Sequence, residues 1–529
     1  MEEVINRRRV TRSFKTRGLT LHASALEGVI SVLTRENPKE AEVILRAIVE
    51  ACKQRGGRIV TQDLLANVVS DLTRDAKDVN DESMQLLNAF ETPRLQYDSM
   101  RKQFSLHVEG SASLFGEAND KVDMFAQRFA LIRQRILKQD VFRPKLVTAD
   151  GRQASSDPRH VTHSLTTIES LLGRSGVRFL LGMLVQGVEE GQYCLEDHTA
   201  QVPLDMSDSQ LLTEGILTQY CVVLVEGEMI DGVLNVHRMG NPIVESRREA
   251  IQDIGLKSTD IFQSISTQVQ LEDVRSQEAL HGPDGMFVVL SNVHLDRPHV
   301  MEKLRTLFEG FRDANPIYVL MGNFLSNPSD GKEFLAYMDE LAALMEEVGV
   351  AQEGRFIFIP GPNDAGMSDV LPRPSLPKFV TRNFRQRIPH ATFGTNPCRL
   401  RYFSKELVFY RKNITSELQR ATLFQTTNIE STPSQHAIKT VLDQGHLCPH
   451  QPAVFWQYDH ALRLYPLPDA ILLGDSTDQY YETYADCDVI NPGPCASGSE
   501  FPFVVYRPVA SVDVDGSTKS DVEFSQIPD

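Results

Sequence analysis

The sequence predicts a multidomain α+β protein: a small N-terminal helical domain, then a small β-barrel, then an α/β sandwich. Three observations carry this. Apolar residues recur at helical spacing up to about residue 75. From Val177 the period switches to two. From Met286 apolar strands alternate with helical segments. A chain of 529 residues is too long for one ordinary core and suits roughly two to four domains. The boundaries read as 1–75 for the helical domain, 76–165 for a connecting segment, 166–280 for the barrel domain and 281–529 for the sandwich.

In the first domain Leu21, Ala25, Leu26, Val29, Ile30 and Leu33 form one helical stripe. Asn37-Pro38 starts a second helix, with Glu40 placed for a capping box, Ile44, Ala47, Ile48 and Ala51 as its stripe, and Gly56-Gly57 as its stop. A third runs from Thr61 with Leu64, Leu65, Val68, Val69 and Leu72. The basic run from Arg7 to Arg17 reads as a nuclear signal, a phosphate contact, or simply a solvated start to this domain. The connecting segment carries one amphipathic helix, about Asp120 to Lys138, with Phe125, Phe129, Ile132 and Ile136 on one side.

In the barrel domain Val177, Phe179, Leu181, Met183 and Val185 alternate as in a half-buried strand. A hairpin follows around Asp197 to Ala200, and Asp231-Gly232 is a strong two-residue turn between the strands Cys221 to Ile230 and Val233 to Val236. Short antiparallel strands at this density suit an OB-fold, with a β-sandwich as the rival. In the sandwich, apolar strands end in polar tips at Ser291-Asn292, Gly322-Asn323, Pro360 to Asp364 and Gly474-Asp475, with helices near 299–312 and 331–347 between the first three.

Composition narrows the function. Hydrophobic residues are 41% and charged residues 24%, ordinary for a soluble globular chain. No run approaches the ~18 apolar residues of a membrane helix, so no membrane role is expected. The seven cysteines form no C-x-x-C pair, against a disulfide framework or zinc finger and for a reducing intracellular compartment. A net charge of −17 points to protein partners rather than a grip on DNA. Within the barrel stretch the basic residues are Arg178 and Arg238, against many carboxylates, so a barrel docking protein is expected over a single-strand binder.

The strand tips resemble the motif set of calcineurin-like metallophosphoesterases: D-x-H, G-D-x-x, G-N-H-D/E and G-H-x-H. The matching stretches are Asn292-Val293-His294, Gly322-Asn323, Gly361-Pro362-Asn363-Asp364 and Gly474-Asp475-Ser476-Thr477. The resemblance implies two divalent cations sharing a carboxylate. Here Asn292 and Asn323 replace carboxylates, Pro362 the ligand amide, Asn363 the proton-donating histidine, and Asp475 and Thr477 two histidines; His294 alone keeps its imidazole. Neutral amides do not offset two dications, so an inactivated phosphoesterase site is expected, without metal or other cofactor. The enzymatic alternatives are a divergent metal-dependent phosphoesterase, or one metal held by His294 with Asp296, Asp364 or Asp475.

An OB-like barrel before such a sandwich resembles the B-subunits of the replicative DNA polymerases. The matching residues are Tyr193-Cys194-Leu195-Glu196-Asp197, Val202-Pro203-Leu204-Asp205, Leu371-Pro372-Arg373-Pro374, Thr395-Asn396-Pro397-Cys398-Arg399, Gln444-Gly445-His446-Leu447, Trp456-Gln457-Tyr458-Asp459, Leu464 to Asp469 and Asn491-Pro492-Gly493. The helical start and Phe384 to Pro389 resemble the epsilon branch; the delta branch is the nearest alternative. The resemblance implies a non-catalytic nuclear scaffold. Its implied partners are the C-terminal zinc-binding region of a polymerase catalytic subunit, the other epsilon subunits, and the helicase-associated GINS complex through the N-terminal domain. DNA is implied only within the holoenzyme. Trp456 is expected in the core beneath the sheet, with an interface anchor as the alternative; His446 is expected as a hydrogen-bonded structural histidine, with a remnant ligand as the alternative; and the stretch after Pro508 is expected as an acidic tail.

Overall fold

In the computed structural model, residues 84–528 are described except 99, 102, 107–111, 143–162, 190, 256–259, 263–267, 328–330, 368, 425–429, 451–452, 497–499 and 513–517. Before them, 7–15, 17, 19–22, 25–26, 28–30, 45, 48–49, 52, 59–62 and 65 are described. The chain forms two compact units, Met1–Ser83 and Met84–Asp529.

In the first unit the basic run is a helix, Arg7–Lys15. Val10 and Phe14, four residues apart, are fully buried, while Arg7, Arg12 and Lys15 stay exposed. The run is therefore one amphipathic face of the unit. Its apolar side meets Ala25, Val29, Ile48 and Leu65, drawn from all three predicted stripes. The Asn37-Pro38 start, the Gly56-Gly57 stop and most of the third stripe lie outside the described residues.

The second unit contains a closed five-stranded barrel. Arg178–Gln186 pairs with Tyr193–Glu196, that strand with Gln201–Asp205, and Val222–Ile230 with both Arg178–Gln186 and Val233–Gly240. A parallel pairing of Val233–Gly240 with Gln201–Asp205 closes the circle. Numbered along the chain, the order is 1-2-3-5-4, that of an OB-fold, and the sandwich alternative is excluded. Asp231 and Gly232 both take positive φ, 49° and 84°, as the predicted two-residue hairpin requires.

The face chosen by alternation proves to be the outer one. Leu180 and Leu184 fill the barrel with Leu195, Val223 and Val236. Leu181, with Phe179 and Met183, instead packs beneath Ile132 and Ile136 of the helix Ala118–Lys138. The strand is covered on both faces, so period two does not tell inside from outside. Gly182 shows the same crowding: a Cβ there would sit 2.4 Å from Leu195 Cγ.

The sandwich has two six-stranded sheets. One runs Ala391–Phe393, Arg355–Ile359, Ile317–Met321, Phe287–Ser291, Phe501–Val512, Thr518–Ile527, the first four mutually parallel. The other runs Tyr480–Tyr484, Cys487–Asn491, Ala470–Gly474, Lys405–Arg411, Cys398–Tyr402, Met84–Asn88. Helices Pro298–Phe311 and Gly331–Val348 bury Leu304, Phe308, Met338 and Met345 against the first sheet. Pro433–Gln444 buries Ile438 and Leu442 against the second. The expected acidic tail is a β-hairpin instead: Asp521 and Glu523 face Arg507 across it.

Residues 84–138 do more than connect. Met84–Asn88 is an edge strand of the second sheet, hydrogen-bonded to Cys398–Tyr402. On the helix Ala118–Lys138, Ile132 and Ile136 face the barrel while Arg128 and Arg135 are buried toward the sandwich. Arg128 donates to the Asp459 carboxylate at 2.5 and 3.1 Å. His446 Nε2 meets the same carboxylate at 3.1 Å, and its Nδ1 accepts the Cys448 N–H at 3.0 Å, which sets the tautomer. Burial alone would raise Asp459; Arg128 and His446 overcome it and hold the carboxyl well below the usual range. Burial, then Arg128, push His446 down to about 4.

Two outcomes follow. A fragment of 281–529 lacks an edge strand and leaves the Asp459 charge without Arg128, so it should aggregate. A fragment of 84–529 should give one soluble species by size-exclusion chromatography. For His446, the folded pKa lies below the unfolded value of 6.5. Its contribution is complete above pH 6.5 and is lost as pH falls toward 4, because only the unfolded chain takes up the proton. The urea-stability advantage of wild type over His446→Gln should shrink between about pH 7 and 4.5; a constant difference contradicts the assignment.

Candidate functional site

Parallel strands align their carboxyl ends, which brings the four polar tips together at one end of the two sheets. Asn292 is buried, with positive φ of 54°. Gly322 lies so close to the third tip that a Cβ would sit 1.9 Å from Asp364 Oδ2; no side chain fits there.

At the centre stands a residue the motif comparison passed over. Arg411 ends the strand Lys405–Arg411 and is 1% exposed. Its Nη2 donates to Asn292 Oδ1 at 2.5 Å, Nη1 to Gly474 O and Asn413 Oδ1 at 2.9 Å each, and Nε to Gly322 O. One guanidinium thus joins the first, second and fourth tips. Asn396 holds its backbone from the other side, accepting the Arg411 N–H at 3.0 Å and donating to its carbonyl at 2.7 Å. Burial lowers the Arg411 pKa to about 10, opposed by Asp475 and Asp364, so it stays a cation at neutral pH. The sequence did carry a signal: a cation directly after Leu407-Val408-Phe409-Tyr410 in a buried strand requires acceptors nearby.

The nearby carboxylates are turned to backbone. Asp364 accepts the Phe324 and Gly361 N–H groups at 2.6 and 2.7 Å, and burial pushes its carboxyl up to about 6. Asp475 accepts Thr415 N–H at 3.0 Å and Ser476 N–H at 2.6 Å. Asp296 accepts Ser326 N–H at 3.0 Å. Asn323 Oδ1 takes the Asn363 N–H at 2.9 Å, and Pro362 O takes Arg373 Nη1 at 2.9 Å. Thr477 accepts Asn491 Nδ2 through Oγ1 at 3.1 Å and through its carbonyl at 3.0 Å. Asn363 is exposed. His294 is half-buried, and its Nδ1 is a buried atom without a hydrogen-bond partner. Burial, then Arg297, lower its pKa.

These residues do not fit a pair of divalent cations. At three tips Arg411 donates to Asn292 Oδ1, Gly322 O and Gly474 O, so a cation already stands among them. Among the described residues no three His, Cys, Asp or Glu side chains are gathered as a ligand set. A dication about 4 Å from a fixed guanidinium meets repulsion on the order of 8 kcal/mol at the effective dielectric of proteins.

Two further expectations are settled by position. His446 is a buried structural histidine, as expected. Trp456 is not beneath the sheet: it is half-buried in a groove beside Phe125 and Tyr220. On the barrel, Arg238 is paired with Glu226.

An OB barrel built into one unit with such a sandwich is the layout of a polymerase B-subunit. Known proteins agree: the family of DNA polymerase alpha/epsilon B-subunits matches residues 287–483. The OB-fold domain of the family described as DNA polymerase epsilon subunit 2-like matches 118–243, so its match starts at the helix rather than at the first strand. DNA polymerase epsilon subunit 2 of Bos taurus is 33% identical, over 96% of this chain and 98% of that one. The Homo sapiens protein of that name is 33% identical over 95% and 96%, and the DNA polymerase epsilon B-subunit of Arabidopsis thaliana 31% over 95% and 97%. The chain belongs to the DNA polymerase epsilon subunit 2 family.

Replacing Arg411 tests the centre. Arg411→Met keeps much of the volume but strands the acceptors on Asn292, Gly322, Asn413 and Gly474, and should cost about 3–5 kcal/mol in urea unfolding. Arg411→Lys keeps the charge without the fork and should fall between.

Proposed function

We propose that the chain is a non-catalytic scaffold of the DNA polymerase epsilon complex in nuclear DNA replication. It holds the C-terminal zinc-binding region of the catalytic subunit and links it, with the other subunits, to the replisome. The N-terminal unit is the side that meets GINS and the replicative helicase, and DNA is met only within the holoenzyme. The observation that supports the non-catalytic part is Arg411: a permanent cation bonded to Asn292, Gly322 and Gly474 lies among the tips where the resemblance implies two metals. The acidic balance of −17 supports protein partners over a free DNA grip.

The test has two arms. Co-expressed with the catalytic subunit of the same polymerase, the chain should co-purify with it in equal amounts. Purified alone with manganese, it should leave a chromogenic phosphodiester unhydrolysed and retain no stoichiometric metal. Turnover abolished by His294→Ala would instead establish a phosphoesterase.

A further inference from the structure

The helix Lys378–Arg387 carries four Lys or Arg among its ten residues and no carboxylate, in a chain whose net charge is −17. Its rotation is fixed by packing. Val380, Thr381 and Phe384 are buried, and Phe384 meets Phe358 edge to face with centroids 5.2 Å apart. Two of the arginines help to anchor it. Arg387 makes paired bonds to the Glu346 carboxylate at 2.6 and 2.9 Å and a third to the Asp339 carbonyl at 2.8 Å. The Arg385 guanidinium lies over the Phe393 ring, 4.2 Å from its centroid, while Nε donates to Thr381 Oγ1 at 3.1 Å.

The outer face of this helix is cationic. Lys378, Arg382 and Arg385 stand at i, i+4 and i+7, along one stripe, and all three are exposed. Among the described residues none of the three makes a salt bridge. Asp339 and Glu346 of the neighbouring helix Gly331–Val348 are engaged elsewhere: Asp339 accepts Asn383 Nδ2 at 3.3 Å, and Glu346 is taken by Arg387. Next to Lys378, Phe379 is 67% exposed, with its ring edge on Gly331, where a Cβ would sit 3.0 Å from Phe379 Cε2.

Unneutralised cations gathered on one face of an acidic protein make a local field for anions. Two kinds of polyanion fit such a field. A nucleic acid strand offers phosphates for the cations and a flat base for the exposed phenyl ring; an acidic peptide offers carboxylates and leaves the ring unused. The placement of Phe379 beside the stripe favours the strand.

We propose that this helix face holds single-stranded DNA, with Lys378, Arg382 and Arg385 on its phosphates and a base stacked on Phe379. The proposal rests on the subunit role above, in which DNA is met within the holoenzyme. Three cations make a contact of low affinity, effective where the polymerase already keeps the strand close.

The experiment titrates the full chain at low salt with a fluorescein-labelled oligothymidylate and repeats the titration as salt is raised. Binding should weaken steeply toward physiological salt. Lys378→Ala with Arg382→Ala removes two phosphate contacts and should make the slope of log affinity against log salt shallower by about 1.4. Phe379→Ala should weaken binding roughly fivefold or more with the slope unchanged. All three side chains are exposed and alanine suits a helix, so the fold is kept. Arg174→Ala with Arg178→Ala, a charge-matched pair on the barrel, should leave the slope as it is. A slope lowered by the barrel pair and not by the helix pair overturns the assignment. An indifferent Phe379→Ala overturns the stacked strand, and displacement by polyglutamate at equal charge then assigns the face to an acidic peptide. Absence of salt-dependent binding by wild type overturns it as well. The subunit role is read separately, by co-purification with the catalytic subunit, and survives each of these failures.

Discussion

The Arg411 guanidinium is the point on which the sandwich turns. A buried cation is tolerated only when its donors are met, and here Asn292, Gly322, Asn413 and Gly474 meet them. The same contacts tie loops that leave two different sheets. In a two-metal enzyme the tips converge on cations; in this chain they converge on a side chain. The amides at Asn292 and Asn323 are consistent with that geometry. An amide oxygen accepts from a guanidinium or a backbone N–H without adding the charge that a metal site needs.

A second buried arginine does similar work at the junction with the barrel. Arg128, from the helix Ala118–Lys138, reaches Asp459 in the sandwich while Ile132 and Ile136 of the same helix cover the barrel. The charge pair is buried and hydrogen-bonded on both partners, the condition under which removing one side is strongly destabilising. The family's barrel match beginning at residue 118 agrees with a helix that folds with the barrel. Ser113, ahead of that helix, and Asp120 within it both bond Gln457 beside the Trp456 groove, so a single stretch of chain shapes both the junction and that groove.

Much of the fold was legible because the signals were local. Asp231-Gly232 announced its hairpin by the positive φ that turn needs. The strands before Asn292, Gly322 and Gly474 read as continuous apolar runs, as buried parallel strands do. The make-up of the four tips was legible too, because residue identity alone tells a carboxylate from an amide. Arg411 was missed because it lies in none of the motifs, and its meaning depends on acceptors as far away in sequence as Asn292.

By itself, then, the sequence determined the order of elements, the amides at Asn292 and Asn323 of the tips, and the family. Tertiary structure decided which face of the first barrel strand points inward, that Met84–Asn88 completes a sheet formed by residues beyond 397, and that Trp456 lines a groove rather than a core. The physical reason is shared. Periodicity and residue type record what each segment can bury or donate, whereas the partner that it buries against or donates to is fixed only when distant segments meet.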